Sequence, residues 1–179
     1  MDQRSRKPTR LKNYDYSAPG AYFITICTRD RQCILSEIGK PDGGDVGEQL
    51  AAPVAELTAI GRLVEEQIEL LPERFPALSV MRYVIMPNHI HLLLSQGIEG
   101  VVREQQAAPL QGKPEGTVSI TRAVQALKSQ TSRLSGVGSL WQRSFYDHVI
   151  RNEDDLRQIA EYIDTNPARW ESDRFRAES

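Results

Sequence analysis

The chain has 179 residues, 40% of them hydrophobic, and a formal net charge of -2 at pH 7. That length supports one domain with a real hydrophobic core, and no apolar run approaches the roughly 20 residues of a membrane-spanning helix. Two cysteines, Cys27 and Cys33, exclude a disulfide framework or a cysteine-rich zinc site and are expected as reduced thiols of a cytoplasmic protein.

Residues 1–13 carry Arg4, Arg6, Lys7, Arg10 and Lys12 with no hydrophobic stretch behind them. They read as a basic, flexible arm and not as a secretory signal. From Ala21 to Thr28 the chain is β-rich and close to continuously apolar, the pattern of a central strand. Arg29-Asp30-Arg31 reads as a turn, and Cys33 to Ile38 as a second strand. Lys40 to Pro53, with Pro41 and Gly43-Gly44, has a loop signature. Leu57, Ile60, Val64, Ile68 and Leu71 then make one apolar stripe at helical spacing, which Pro72 is expected to end.

Leu78 to Met86 and His89 to Ser95 read as a third and a fourth strand, joined by a tight turn at Pro87-Asn88. In the fourth strand the side-chain period of two places His89 and His91 on one face and Ile90 on the other. Two neighbouring imidazoles on a rigid strand are half of a metal site and need oxygen donors from elsewhere. The plain alternative is two histidines sharing a solvated face.

Gln96 to Gly116 is rich in Gly, Gln and Pro and reads as a surface excursion. Thr117 or Ser119 can cap a second helix with a core stripe of Ile120, Val124, Leu127 and Leu134. Its charged residues are Arg122, Lys128 and Arg133, with no acid among them. The second half of Leu140 to Ile150 reads as a fifth strand, with Trp141 and Tyr146 expected in the core. Asn152 caps a last helix whose first turn holds Glu153, Asp154 and Asp155, where the helix dipole favours anions. Its core stripe is Leu156, Ile159, Ala160 and Ile163, and Asn166-Pro167 is expected to stop it. Tyr162 falls at the rim of that stripe, half buried with its hydroxyl projecting, and Asn166 lies one turn further on near the same line.

Acids concentrate between Glu37 and Glu73, while the N-terminal arm, the second helix and the arginines at 169, 174 and 176 are basic. A basic face with an acidic back is compatible with phosphate binding despite the net charge. Ordinary solvated faces would look the same.

Three motifs stand in order on this frame: Met-Pro-Asn-His-Ile-His at 86–91, Leu-Trp-Gln-Arg-Ser-Phe-Tyr-Asp-His-Val-Ile-Arg-Asn-Glu-Asp-Asp at 140–155 and Glu-Tyr-Ile-Asp-Thr-Asn-Pro-Ala at 161–168. Together they resemble the single-tyrosine HUH transposases, and among these the REP-associated tyrosine transposases. The resemblance runs from about Tyr14 to Pro167. It divides the chain into the arm 1–13, a transposase-like domain 14–167 and a polar tail 168–179.

The resemblance implies an α+β, ferredoxin-like HUH endonuclease fold, an antiparallel sheet with helices on its faces. It implies an enzyme that cuts single-stranded DNA near hairpins and rejoins it through a 5′-phosphotyrosine, for DNA transposition or the processing of repeated palindromic elements. Tyr162 matches the nucleophile, His89 and His91 the pair that binds a divalent ion (Mg2+ or Mn2+), and Asn166 a polar third ligand. Arg122, Lys128 and Arg133 are then expected against the DNA. The partner is single-stranded or hairpin DNA, with no membrane, and monomer and homodimer are both open. The competing readings are a hairpin-binding module that has lost catalysis and a metal-dependent hydrolase.

Overall fold

The computed structural model describes residues 14–39, 54–97 and 119–176. The basic arm 1–13, the loop 40–53, the excursion 98–118 and residues 177–179 lie outside the described residues. Six strands and four α-helices are present among those described: β1 (Gly20–Cys27), β2 (Ser36–Gly39), β3 (Val54–Leu57), α1 (Ala59–Glu69), α2 (Leu71–Arg74), β4 (Leu78–Met86), β5 (His89–Gln96), α3 (Ile120–Ser135), β6 (Tyr146–Val149) and α4 (Glu153–Thr165).

The main sheet is antiparallel with strand order β4-β5-β1-β6. In chain order β1, α1, β4, β5, α3 and β6 form the βαββαβ succession of a ferredoxin-like sheet. The expected α+β architecture is therefore present. β2 and β3 pair with each other as a separate two-stranded sheet. Leu57, assigned from its spacing to the first helix, lies in β3. A four-residue strand is too short to separate its alternation from a helical stripe.

Alternation along the strands sorts the two faces. Tyr22, Ile24 and Ile26 of β1 and Ile90, Leu92 and Leu94 of β5 join Val64 and Ile68 of α1 and Ile120, Val124 and Leu127 of α3 in one core, all with 1% exposure or less. A bulge between Val80 and Arg82 keeps β4 in step, so that Val80 and Tyr83 face this core while Arg82 and Val84 face the other side. The opposite face, with His89, His91 and Leu93, receives α4, fastened at its edge by Arg82 and Asp164 at 3.2 Å.

Local chemistry marks the helix ends. Thr58 caps α1 by accepting from Gly61 N at 3.0 Å. Gly61 is required, because a Cβ there would collide with the Leu35 carbonyl oxygen. Asn152 caps α4 through Asp155 N at 2.8 Å, as the sequence predicts. Pro72 does not simply end a helix, since it sits in the first turn of α2, where a missing N–H costs nothing. Leu134, read as core, is 49% exposed at the end of α3. Tyr146 is likewise not core but 42% exposed, whereas Trp141 is buried with Nε1 donating to Thr131 Oγ1 at 2.7 Å.

The largest difference from expectation lies after α4. Asn166 keeps helical geometry (φ -58°, ψ -42°) in front of Pro167, and the chain continues as 3-10 turns through Pro167–Ser172. Proline needs no N–H there, and Arg169 N donates to Asn166 O at 3.0 Å, so the turn propagates. The stretch expected as a polar tail from 168 then folds onto the histidine face and buries Phe175 at 4% exposure.

Candidate active site

β5 lies between β1 and β4, with Cys27 and Met86 flanking His89 and Thr25 and Val84 flanking His91. Cross-strand neighbours share a face, so Thr25 and Cys27 stand beside the imidazoles. Both histidines are wholly buried, which removes the solvated-face alternative. Their Nε2 atoms are 3.1 Å apart.

Burial strips the imidazoles of the water a positive charge needs. With Arg31 and Arg174 nearby as a further cause, the pKa of His89 falls to about 3. That of His91 falls well below the ordinary value through burial, then His89 and Arg174. Both rings are neutral at pH 7, the state in which a nitrogen lone pair can bind a cation. Asp173 Oδ2 is 4.0 Å from His89 Nε2, and facing a neutral ring it makes no ion pair. His89, His91 and Asp173 together bring one possible ligand atom each to within 4.8 Å of one another.

α4 supplies the remaining groups. The Tyr162 hydroxyl lies 3.3 Å from His91 Nε2. Its pKa is raised by burial first and by the Asp173 carboxylate second, against opposing contributions from Asn166, Arg174 and Arg169. One turn on, Asn166 is fully buried; its amide lies near enough to the Tyr162 hydroxyl to favour its ionised form, but neither Oδ1 nor Nδ2 makes a well-formed hydrogen bond among the described residues. A buried amide so poorly satisfied is costly and leaves its oxygen available to a ligand. Two neutral imidazoles, a carboxylate and a free amide oxygen are a donor set that fits a divalent cation.

The cleft beside Tyr162 is lined by Phe23, Arg169, Ser172, Asp173 and Arg174. Phe23 stacks on His91 with ring centroids 5.1 Å apart, and Phe175 lies 4.9 Å from His89. Arg31 and Arg174 in turn stand over the Phe175 ring. The walls are thus aromatic and cationic around a buried polar floor.

Four sequence candidates meet here: His89, His91, Tyr162 and Asn166. The other three do not. Arg122, Lys128 and Arg133 belong to α3, which packs on the opposite face of the sheet. Arg122 is exposed, and Arg133 is exposed with Nη2 on Gln130 Oε1 at 2.6 Å. The Lys128 ammonium donates to the carbonyls of Gln142, Arg143 and Ser144 at 2.7, 3.0 and 3.5 Å. His148 joins β6 to α4 through Asp155 at 2.8 Å.

Sequence reasoning missed Asp173, Phe175 and Arg31, and read Arg174 only as part of a basic patch. They reach the site through turns and 3-10 geometry, which carry no periodicity to read. The only signal for the C-terminal group was its mixed charge after Pro167.

No protein-family model matches the chain. An uncharacterized protein of Haemophilus influenzae is 33% identical over 179 residues, spanning 95% of this chain and 92% of that protein. The REP-associated tyrosine transposase of Escherichia coli K12 is 26% identical over 87 residues, covering 49% of this chain and 42% of the transposase. Among solved structures, a REP-associated tyrosine transposase bound to a REP hairpin superposes with a TM-score of 0.60 at 19% identity, covering 90% of this chain and 73% of that one. The chain therefore belongs to one family with the Haemophilus influenzae protein, and it resembles the REP-associated tyrosine transposases in sequence and shares their fold.

Proposed function

We propose that the protein is a transposase-like endonuclease and strand transferase that cuts single-stranded DNA beside hairpins through a phosphotyrosine at Tyr162. The observation that carries this reading is the 3.3 Å approach of the Tyr162 hydroxyl to a buried, neutral histidine pair. A tyrosine beside a set of neutral cation ligands is the pairing that phosphodiester transfer needs. Hairpin DNA enters because the transposase of shared fold is bound to a REP hairpin.

His89 and His91, with Asn166 and Asp173 as oxygen donors, would hold a Mg2+ or Mn2+ ion. Such an ion supplies charge neutralisation at the non-bridging oxygens of the scissile phosphate. Tyr162 Oη attacks phosphorus and gives up its proton, the bond from phosphorus to the 3′ oxygen breaks, and that oxygen leaves as a 3′-hydroxyl. Tyr162 keeps the 5′-phosphate. Attack by another 3′-hydroxyl re-forms a diester and returns the proton to Tyr162, so one bond is exchanged for another and no energy cofactor is required.

The Tyr162 hydroxyl resists ionisation in its buried place, and positive charge is what relieves that resistance. Arg169 and Arg174 line its cleft and act in that direction while offering planar donors to phosphate. Arg122 and Arg133 contact flanking DNA phosphates from the exposed face of α3. Lys128 contributes by holding the 142–144 segment, which meets the sheet where Gln142 N donates to Cys27 O at 2.9 Å.

The test is incubation with a hairpin bearing a single-stranded flank, followed by denaturing electrophoresis. The expected result is a covalent protein–DNA adduct at Tyr162 that forms with Mg2+ or Mn2+ and is absent in chelator. Cleavage with no adduct at any stage would make the protein a hydrolase and overturn the reading.

A further inference from the structure

Asn88 stands between Pro87 and His89 in the turn from β4 to β5, with no surface exposed. Turn geometry does not demand it. Pro87 fixes its own φ near -65°, and the described non-glycine residues with positive φ are Asp30 and Arg31. Its side chain serves chemistry instead.

Asn88 Nδ2 lies 2.8 Å from the carbonyl oxygen of Phe175 and 3.4 Å from that of Arg31. Carbonyls only accept, so the amide nitrogen must face them and Oδ1 must face the other way. Oδ1 is 2.8 Å from His89 Nδ1. An amide oxygen has no proton to give, so the imidazole donates, and His89 carries its proton on Nδ1. Its Nε2 then carries the lone pair, which points into the 3.1 Å gap toward His91 Nε2 and can act there only as an acceptor. No such constraint acts on His91, whose Nδ1 meets the Thr25 hydroxyl at 2.8 Å, a group that can give or accept.

We propose that Asn88 is a positioning residue that fixes the tautomer of His89 and so presents Nε2 to a cation, with the Phe175 carbonyl holding the amide in the required orientation. The use of that lone pair rests on the ion-binding reading above. Without Asn88, His89 can shift its proton to Nε2, and that nitrogen then offers a cation no lone pair until the proton moves back. Ligand histidines in general depend on such a partner at the other ring nitrogen, and its loss weakens affinity about 10–100-fold.

The experiment uses the full chain in three forms: wild type, Asn88→Asp and Asn88→Leu. Imidazole nitrogen spectra without metal read the tautomer, and calorimetric titration with Mn2+ reads affinity. Wild type is expected to show His89 as the Nδ1–H form. Asn88→Asp still accepts from Nδ1 and should keep both that form and most of the affinity. Asn88→Leu should lose the preference and bind Mn2+ about 10–100-fold more weakly. Both variants lose the donor to Phe175, so equal weakening with an unchanged tautomer would reduce Asn88 to a structural anchor and overturn the proposal. An Nε2–H form of His89 in wild type would overturn it without any variant, should Asn88→Leu fail to fold. If wild type takes up no Mn2+, the ion-binding reading fails alone, since the spectra still decide what Asn88 does to His89.

Discussion

The hydroxyl of Tyr162 and Nε2 of His91 lie 3.3 Å apart although 71 positions separate them in the chain. α4 is fixed above β5 by its own packing, so removing the hydroxyl leaves the frame in place. Tyr162→Phe keeps the ring contacts with Phe23 and His91, at centroid distances of 6.0 and 5.2 Å. It should abolish the DNA adduct while changing stability by no more than about 1 kcal/mol, the worth of one ordinary hydrogen bond. Tyr146→Phe should leave the adduct intact, and a gel showing the reverse pattern would move the nucleophile to Tyr146.

Asn166 separates function from stability. Its buried amide makes no well-formed hydrogen bond among the described residues, so replacing it removes a poorly satisfied group. Asn166→Leu should therefore melt no lower than wild type in chelator. With Mn2+ present the same variant should bind about 10–100-fold more weakly, as expected when a metal-site donor is lost. Calorimetric titration and thermal melts on the same samples check both halves. An unchanged titration would leave Asn166 as a bridge between α4 and the 3-10 turns and nothing more.

The histidine pair predicts a pH dependence whose sign follows from burial. The pKa of His89 is lowered from 6.5 to about 3 in the folded chain. The unfolded chain therefore binds a proton at higher pH than the folded one does. The resulting stability is fully present above about pH 6.5 and is lost as pH falls toward 3. Urea midpoints measured from pH 7 down to pH 4 should decline more steeply for wild type than for His89→Leu. Parallel curves would show that His89 is not held neutral.

The fold was legible where local composition carried it. β1, β4 and β5 stand within a residue or two of where their apolar, β-rich runs and the Pro87-Asn88 break put them, and the shared face of His89 and His91 followed from a period of two. The N-cap at Asn152 was legible because one side chain does one local job. Leu57 misled because β3 is only four residues long. Leu134 misled because a helical wheel says nothing about where the partner surface ends. The site was half legible: its histidines and tyrosine sit on regular elements, whereas Asp173 and Phe175 arrive through 3-10 turns beyond a proline. Asn88 was visible only as a turn former, since nothing in its position announces a carbonyl contributed from Phe175.

The residues of α3 give opposite expectations for charges that look alike in sequence. Arg122 is exposed, and exposed Arg133 holds Gln130 among the described residues, so either guanidinium can turn to a phosphate at little cost. Lys128 cannot, because its ammonium already serves the carbonyls of Gln142, Arg143 and Ser144. Arg122→Ala or Arg133→Ala should lower the slope of log affinity against log salt by ~0.7 for a single-stranded contact and leave the melting temperature unchanged. Lys128→Met keeps the aliphatic stem but strands one partly buried carbonyl, that of Gln142, while the exposed carbonyls of Arg143 and Ser144 turn to water. It should destabilise the protein by about 1 kcal/mol and leave the salt slope of the folded fraction close to wild type. Filter binding across a salt series, paired with thermal melts, reads both quantities. A Lys128→Met protein that melts normally and loses ~0.7 of slope would return this lysine to the DNA and leave the 142–144 segment held by its backbone alone.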